Sequence, residues 1–125
     1  MKGLFSALIM CIALTGCVQP MTKAEVDRAV YEPLPADYQE QIKSTIELKL
    51  KDPDSAKYRF FDPKKGYTEG TRHFGFVVPV GVNAKNSYGG YTGYKLYYFV
   101  YYNQSFKDVT EGVAWDAVKW SDDVK

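Results

Sequence analysis

Residues 74–82 alternate strictly: Phe74, Phe76, Val78, Val80 and Val82 fall on one side, Gly75, Val77, Pro79 and Gly81 on the other. A period of two predicts a strand with one apolar face. Pro79 has no N–H to give a ladder, which favours an edge position or a bulge. Tyr94–Tyr102 is apolar or aromatic on both faces and predicts a central strand. Lys57–Asp62 is a short aromatic strand stopped by Pro63. The period changes between Asp37 and Lys51, where Tyr38, Ile42, Ile46 and Leu50 recur at steps of four. That spacing lines one face of a helix over 37–51, with Asp37 and Glu40 as an N-cap and N3 pair and Asp52-Pro53 as its stop.

Other stretches are less regular. Thr22-Lys23-Ala24-Glu25 has the form of a capping box and predicts a short helix over 23–31, ended by Glu32-Pro33-Leu34-Pro35. Residues 64–71 hold two glycines and read as a loop, and 103–112 read as a turn region. Val113–Trp120 fits a helix through Val113, Ala117 and Trp120, or a strand by alternation; the strand is favoured, with Trp115 or Trp120 packing on the core. The expected fold is α+β: one N-terminal amphipathic helix on a small antiparallel sheet of three to five strands.

The apolar run at the start differs in kind. Lys2 precedes Leu4–Leu14, which is of signal-peptide length and shorter than the roughly 20 helical residues that span a bilayer. It ends in Leu14-Thr15-Gly16-Cys17, which resembles the lipobox of bacterial lipoproteins. The resemblance implies cleavage after Gly16, a diacylglyceryl group on the Cys17 thiol and acylation of the new amino group. Each buried methylene is worth about 0.8 kcal/mol and a single chain anchors marginally, so two or three palmitate-like chains would hold the protein on a membrane. Val18 stands where an aspartate commonly retains such proteins in the inner membrane. The implied location is the outer membrane of a diderm cell, periplasmic face. The expected organisation is a signal peptide (1–16), a lipidated tether (17–35) read as flexible coil, and one domain (36–125).

Processing changes the remaining composition. Cleavage removes Lys2 from 16 basic residues and no acid from 15, leaving 15 against 15. A charge near zero gives no pull toward nucleic acid. Cys11 leaves with the leader and Cys17 carries lipid, so no thiol remains for a disulfide, metal site or nucleophile. His73 is the only histidine and has neither a zinc motif nor a nucleophile elbow around it. Asp52 and Asp54 flank Pro53 and suit a turn better than an acid pair. No catalytic residue, metal or cofactor is expected.

The segment between the two long strands, Asn83-Ala84-Lys85-Asn86-Ser87-Tyr88-Gly89-Gly90-Tyr91-Thr92-Gly93-Tyr94, carries the candidate binding residues: Asn83, Lys85, Asn86, Tyr88, Tyr91 and Tyr94. Glycines permit tight turns, asparagines bond the backbone, and tyrosines offer flat faces with polar tips. The plainer reading is a long hairpin satisfying itself. Asp52-Pro-Asp-Ser-Ala56 followed by Val82–Tyr94 resembles a pattern in small exported proteobacterial proteins, over about residues 40–100. That resemblance implies a shared small domain and brings no activity with it. Many of those proteins carry cysteine at the place of Pro79, a departure that implies no disulfide here. The expected role is a non-enzymatic binding or structural component of an envelope assembly with a protein partner. The alternative is a glycan- or peptidoglycan-binding module with the tyrosines as stacking platforms. A small hydrolase or an enzyme inhibitor is a weaker third reading.

Overall fold

A computed structural model describes residues 19–125, an antiparallel sheet with short helices, of class α+β. The lipobox, Cys17 and the leader lie outside the described residues. The sheet has six strands rather than three to five: β1 (Lys57–Phe60), β2 (Lys64–Thr68), β3 (His73–Asn83), β4 (Lys95–Tyr102), β5 (Ser105–Asp108) and β6 (Lys119–Trp120). The order is β5-β4-β3-β2-β6, with β1 also on β3.

β3 is the spine. It pairs with β4 along one side, from Phe76↔Tyr101 to Val82↔Lys95. Along the other it pairs with β2 near its start and β1 near its end. β1 and β2 therefore form one interrupted strand, and the interruption, residues 61–63, lies opposite Val78 and Pro79. This explains how a proline sits inside a central strand. Its missing N–H falls where the ladder is already broken, while its carbonyl still accepts from the Phe61 N–H at 3.0 Å.

Alternation along β3 sorts the faces. Val78, Val80 and Val82 join Phe99 of β4 and meet Ile42 and Ile46 of a helix, all of them buried. That helix spans Tyr38–Glu47, four residues shorter at its end than the apolar spacing suggests. Its apolar stripe does pack on the sheet, with Tyr38 and Leu50 at the margin. Leu48, off the stripe, is 89% exposed. Asp37 makes no side-chain cap bond; its carboxylate accepts from Gln41 Nε2 at 2.9 Å instead.

The N-terminal segment departs from the flexible tether expected of it. A helix over Lys23–Arg28 forms behind the full capping box, Thr22 with Glu25. Met21 and Val26 are buried against Tyr67, next to Phe74. Tyr31 packs edge-on to Phe74 with ring centres 5.8 Å apart, and its hydroxyl bonds Ser121. Arg72 bonds Glu25 at 3.0 Å and pins the helix to the turn before β3. Capping alone would not hold so short a helix; aromatic partners on the sheet do.

Three other readings are corrected. Residues 64–68 form β2 instead of a loop, with Gly66 facing Gly75. The supposed turn region 103–112 contains β5, because only Asn103 and Gln104, both at positive φ, make the turn. Residues 113–120 are neither one strand nor one helix. A third helix, Thr110–Ala114, ends at Trp115, and Asp116 at φ +57° redirects the chain into β6. Trp120 is half-buried beside Tyr98, whereas Trp115 is 83% exposed.

Candidate functional site

The Asn83–Tyr94 loop leaves the far end of β3, and its own side chains fix its shape. Asn86 Oδ1 accepts from the N–H of Tyr88 at 2.9 Å and of Gly90 at 3.2 Å. The Asn86 N–H donates to the Gly90 carbonyl at 2.9 Å, and Lys85 and Tyr91 form a bridge across the loop. Asn83 Oδ1 accepts from the Gly93 N–H at 3.2 Å. Gly89 and Gly93 take φ of +78° and +99°, values that any other side chain adopts only under strain. Both asparagines thus do structural work, as the plainer reading of the loop requires.

The loop is also tied to the turn before β1. The 3-10 turn Pro53–Ser55 presents Ser55, whose hydroxyl accepts from the Lys85 N–H at 2.8 Å and donates to the Asp52 carbonyl at 2.7 Å. The Tyr91 hydroxyl donates to the Ser55 carbonyl at 2.8 Å. The two separated motifs, Asp52–Ala56 and Val82–Tyr94, are therefore parts of one structure.

The surface the loop leaves exposed is aromatic and cationic. Tyr88 projects from the tip, 96% exposed, while Tyr91 and Tyr94 are 42% and 46% exposed. Lys57 Nζ lies 4.5 Å from the centre of the Tyr91 ring, with Lys85 Nζ at 5.6 Å from the same ring. Arg59 lies 4.6 Å over Tyr94. Gly81 leaves room for that pair: a Cβ there would stand 3.3 Å from the Tyr94 ring. Register puts Arg59, Gly81 and Leu96 in one row across the sheet, on the face opposite the helix Tyr38–Glu47. Further along this face a groove of about 490 Å³ is walled by Phe61, Pro79, Leu96, Tyr98, Val113 and Trp120. Asp62 and Lys64 stand at it, and Lys64 lies 5.7 Å over the Trp120 ring.

Lys57 and Arg59 carried no motif in the sequence. The available signal was the strand period itself, which puts residues 57, 59 and 61 on one face. The other signal is an acid-free interval: no aspartate or glutamate occurs between Glu69 and Asp108.

His73 is exposed and stacks on Tyr102 at 4.3 Å, at the end of β3 away from the loop. It borders an apolar cavity of about 150 Å³ with Val77, Val100 and Val118. Among the described residues no group of three His, Cys, Asp or Glu could hold a metal ion. No described helix is long and apolar enough to cross a membrane. Comparison with protein-family models, curated proteins and solved structures gives no match.

Proposed function

We propose that this chain is an outer-membrane lipoprotein of a diderm bacterium, anchored through lipid on Cys17 and facing the periplasm. It serves as a non-enzymatic binding component of an envelope assembly. Contact is made by the Asn83–Tyr94 loop and the adjoining exposed face of β4. One observation carries the reading: a loop with exposed tyrosines is held rigid at the end of the sheet opposite the N-terminal packing. Met21 packs beside Phe74, near the start of β3, whereas the loop begins at its last residue, Asn83. Ten strand steps separate the two ends of β3, roughly 33 Å. From Cys17 to Met21 the chain can extend at most about 14 Å. An anchor at Cys17 thus keeps the Met21 end close to the bilayer and presents the loop toward the periplasm.

Metabolic labelling with palmitate and membrane fractionation of the full chain test the anchor. Wild type should label and sediment with outer membranes; Cys17→Ala should do neither. A photo-crosslinking residue at Tyr88 tests the contact, with the same residue at Trp115 as control. Crosslinks to an envelope protein from position 88 alone are expected, and equal crosslinking from both positions would remove the loop from consideration. The glycan reading retains one specific observation, the bare ring of Tyr88. Murein sedimentation lost on Tyr88→Ala would favour it over the protein partner.

A further inference from the structure

We infer that the surface formed by Lys57, Arg59 and Lys85 with Tyr91 and Tyr94 receives a protein partner that presents carboxylates beside an apolar strip. This rests on the proposed binding role and names the chemistry of the partner. Among the described residues none of the three cations lies within ion-pair distance of a carboxylate; the pairs found involve Lys23, Lys43, Lys49, Arg72 and Lys119. Asp52 precedes the turn that carries Ser55, Asp54 lies within it, and Asp62 stands at the groove, so acids border this surface without neutralising it. β3, the loop, β4 and the turn into β5 contribute no acid before Asp108.

The aromatic rings decide what kind of anion fits. Cations lie over the Tyr91 and Tyr94 rings, at 4.5 and 4.6 Å for the nearest. A ring face covered by a cation is a poor platform for a sugar, which disfavours glycan stacking at these two positions. The same contacts hold the cations in place, so less side-chain entropy is lost when a carboxylate arrives. The loop is built from Tyr, Ser, Gly and Asn, the mixture that protein-binding loops use, with Arg as a frequent anchor. Leu96, 43% exposed, and Phe61 continue the surface into the groove beyond Arg59. The partner therefore needs apolar side chains with acids to one side. A lipid surface is disfavoured by placement, since this end lies roughly 30 Å along β3 from the Met21 end.

The test uses the full chain in membranes and a synthetic amphipathic peptide of alternating Glu and Leu blocks. A Lys/Leu peptide, anionic phospholipid vesicles and murein are the comparators. The Glu/Leu peptide should bind, and binding should weaken about tenfold with Lys57→Glu and Arg59→Glu together, as for charge pairs that steer and hold an interface. Lys107→Glu, near the opposite end, should change nothing. The doubly reversed variant should gain affinity for the Lys/Leu peptide, which a misfolded variant would not. Unchanged Glu/Leu binding in the reversed variant, or tighter cation-dependent binding to vesicles or murein, overturns the inference. Crosslinking from position 88 separates the two levels. If it captures a protein equally in wild type and reversed variant, only the acidic partner fails; if it captures none, the binding role fails with it.

Discussion

Gly75 shows how much one residue position can fix. A Cβ there would stand 2.6 Å from the Tyr101 carbonyl oxygen and 2.8 Å from Val100 Cγ2. The first neighbour is backbone and cannot rotate away. Gly75→Ala should therefore cost about 1–3 kcal/mol by overpacking, read as a lower denaturation midpoint with unchanged m-value. Asp108 gives a pH-dependent counterpart. Burial raises its pKa, but hydrogen bonds from the Thr110 hydroxyl and N–H and from Lys49 outweigh that and lower it. A carboxyl with a depressed folded pKa adds stability that is complete above its unfolded value and lost as pH falls through the folded one. Stability should therefore decline as the solution is taken below the ordinary aspartate range. Asp108→Asn should remove this component, checked by denaturant titration at several acid pH values. At this scale the sequence singled out the candidate tyrosines and Lys85, but not Lys57 and Arg59, the nearest cations over those rings. Lys57 and Arg59 acquire meaning only from register, which brings Arg59 opposite Gly81, and register is a pairing between distant segments.

Among the elements, those whose period is repeated were legible. Strict alternation identified β3, propensity identified β4, and steps of four identified the helix over Tyr38–Glu47. Among the short elements, β1 was legible from its aromatic run, but β2 and β5 were not. β2 and β5 have four or five residues each and owe their extended form to a neighbour's open edge, which no local pattern announces. The N-terminal helix was legible from its capping box, yet its docking was not, because Met21 and Val26 find their partner, Tyr67, some forty positions later. Thr22→Ala should cost about 1 kcal/mol through loss of the cap, seen as faster amide exchange over 23–28 before the sheet is affected. The main helix gives a sharper contrast. Ile42→Ala and Ile46→Ala each remove a buried side chain over Val78 and Phe99 and should cost about 2–5 kcal/mol. Leu48→Ala, on the exposed side, should stay within about 0.5 kcal/mol. Comparable losses at 42 and 48 would mean that the helix does not pack as described.

At the scale of the whole molecule, the docked N-terminal segment changes what an anchor at Cys17 would do. A flexible chain of about 18 residues would let the domain sample every orientation at roughly 20–25 Å from the lipid. With Met21, Val26 and Tyr31 packed on the sheet, four residue steps would separate the anchor from the first docked side chain, which keeps the Met21 end within about 14 Å of the lipid. In the proposed lipoprotein the only mature thiol is consumed by lipid, so a single introduced cysteine is a unique labelling site. Fluorophores placed at Lys23→Cys and at Tyr88→Cys, with an acceptor in the bilayer surface, measure the two ends of the molecule. Lys23 is exposed on the N-terminal helix and Tyr88 on the loop tip, so neither label disturbs packing. Energy transfer from position 23 should be strong. Transfer from position 88 should correspond to a distance larger by roughly 30 Å, the length of β3 between the two sites. Equal transfer would mean that β3 lies parallel to the bilayer, which would bring the Arg59–Tyr94 surface within reach of lipid. The partner of those cations would then have to be sought among phospholipid headgroups rather than acidic proteins.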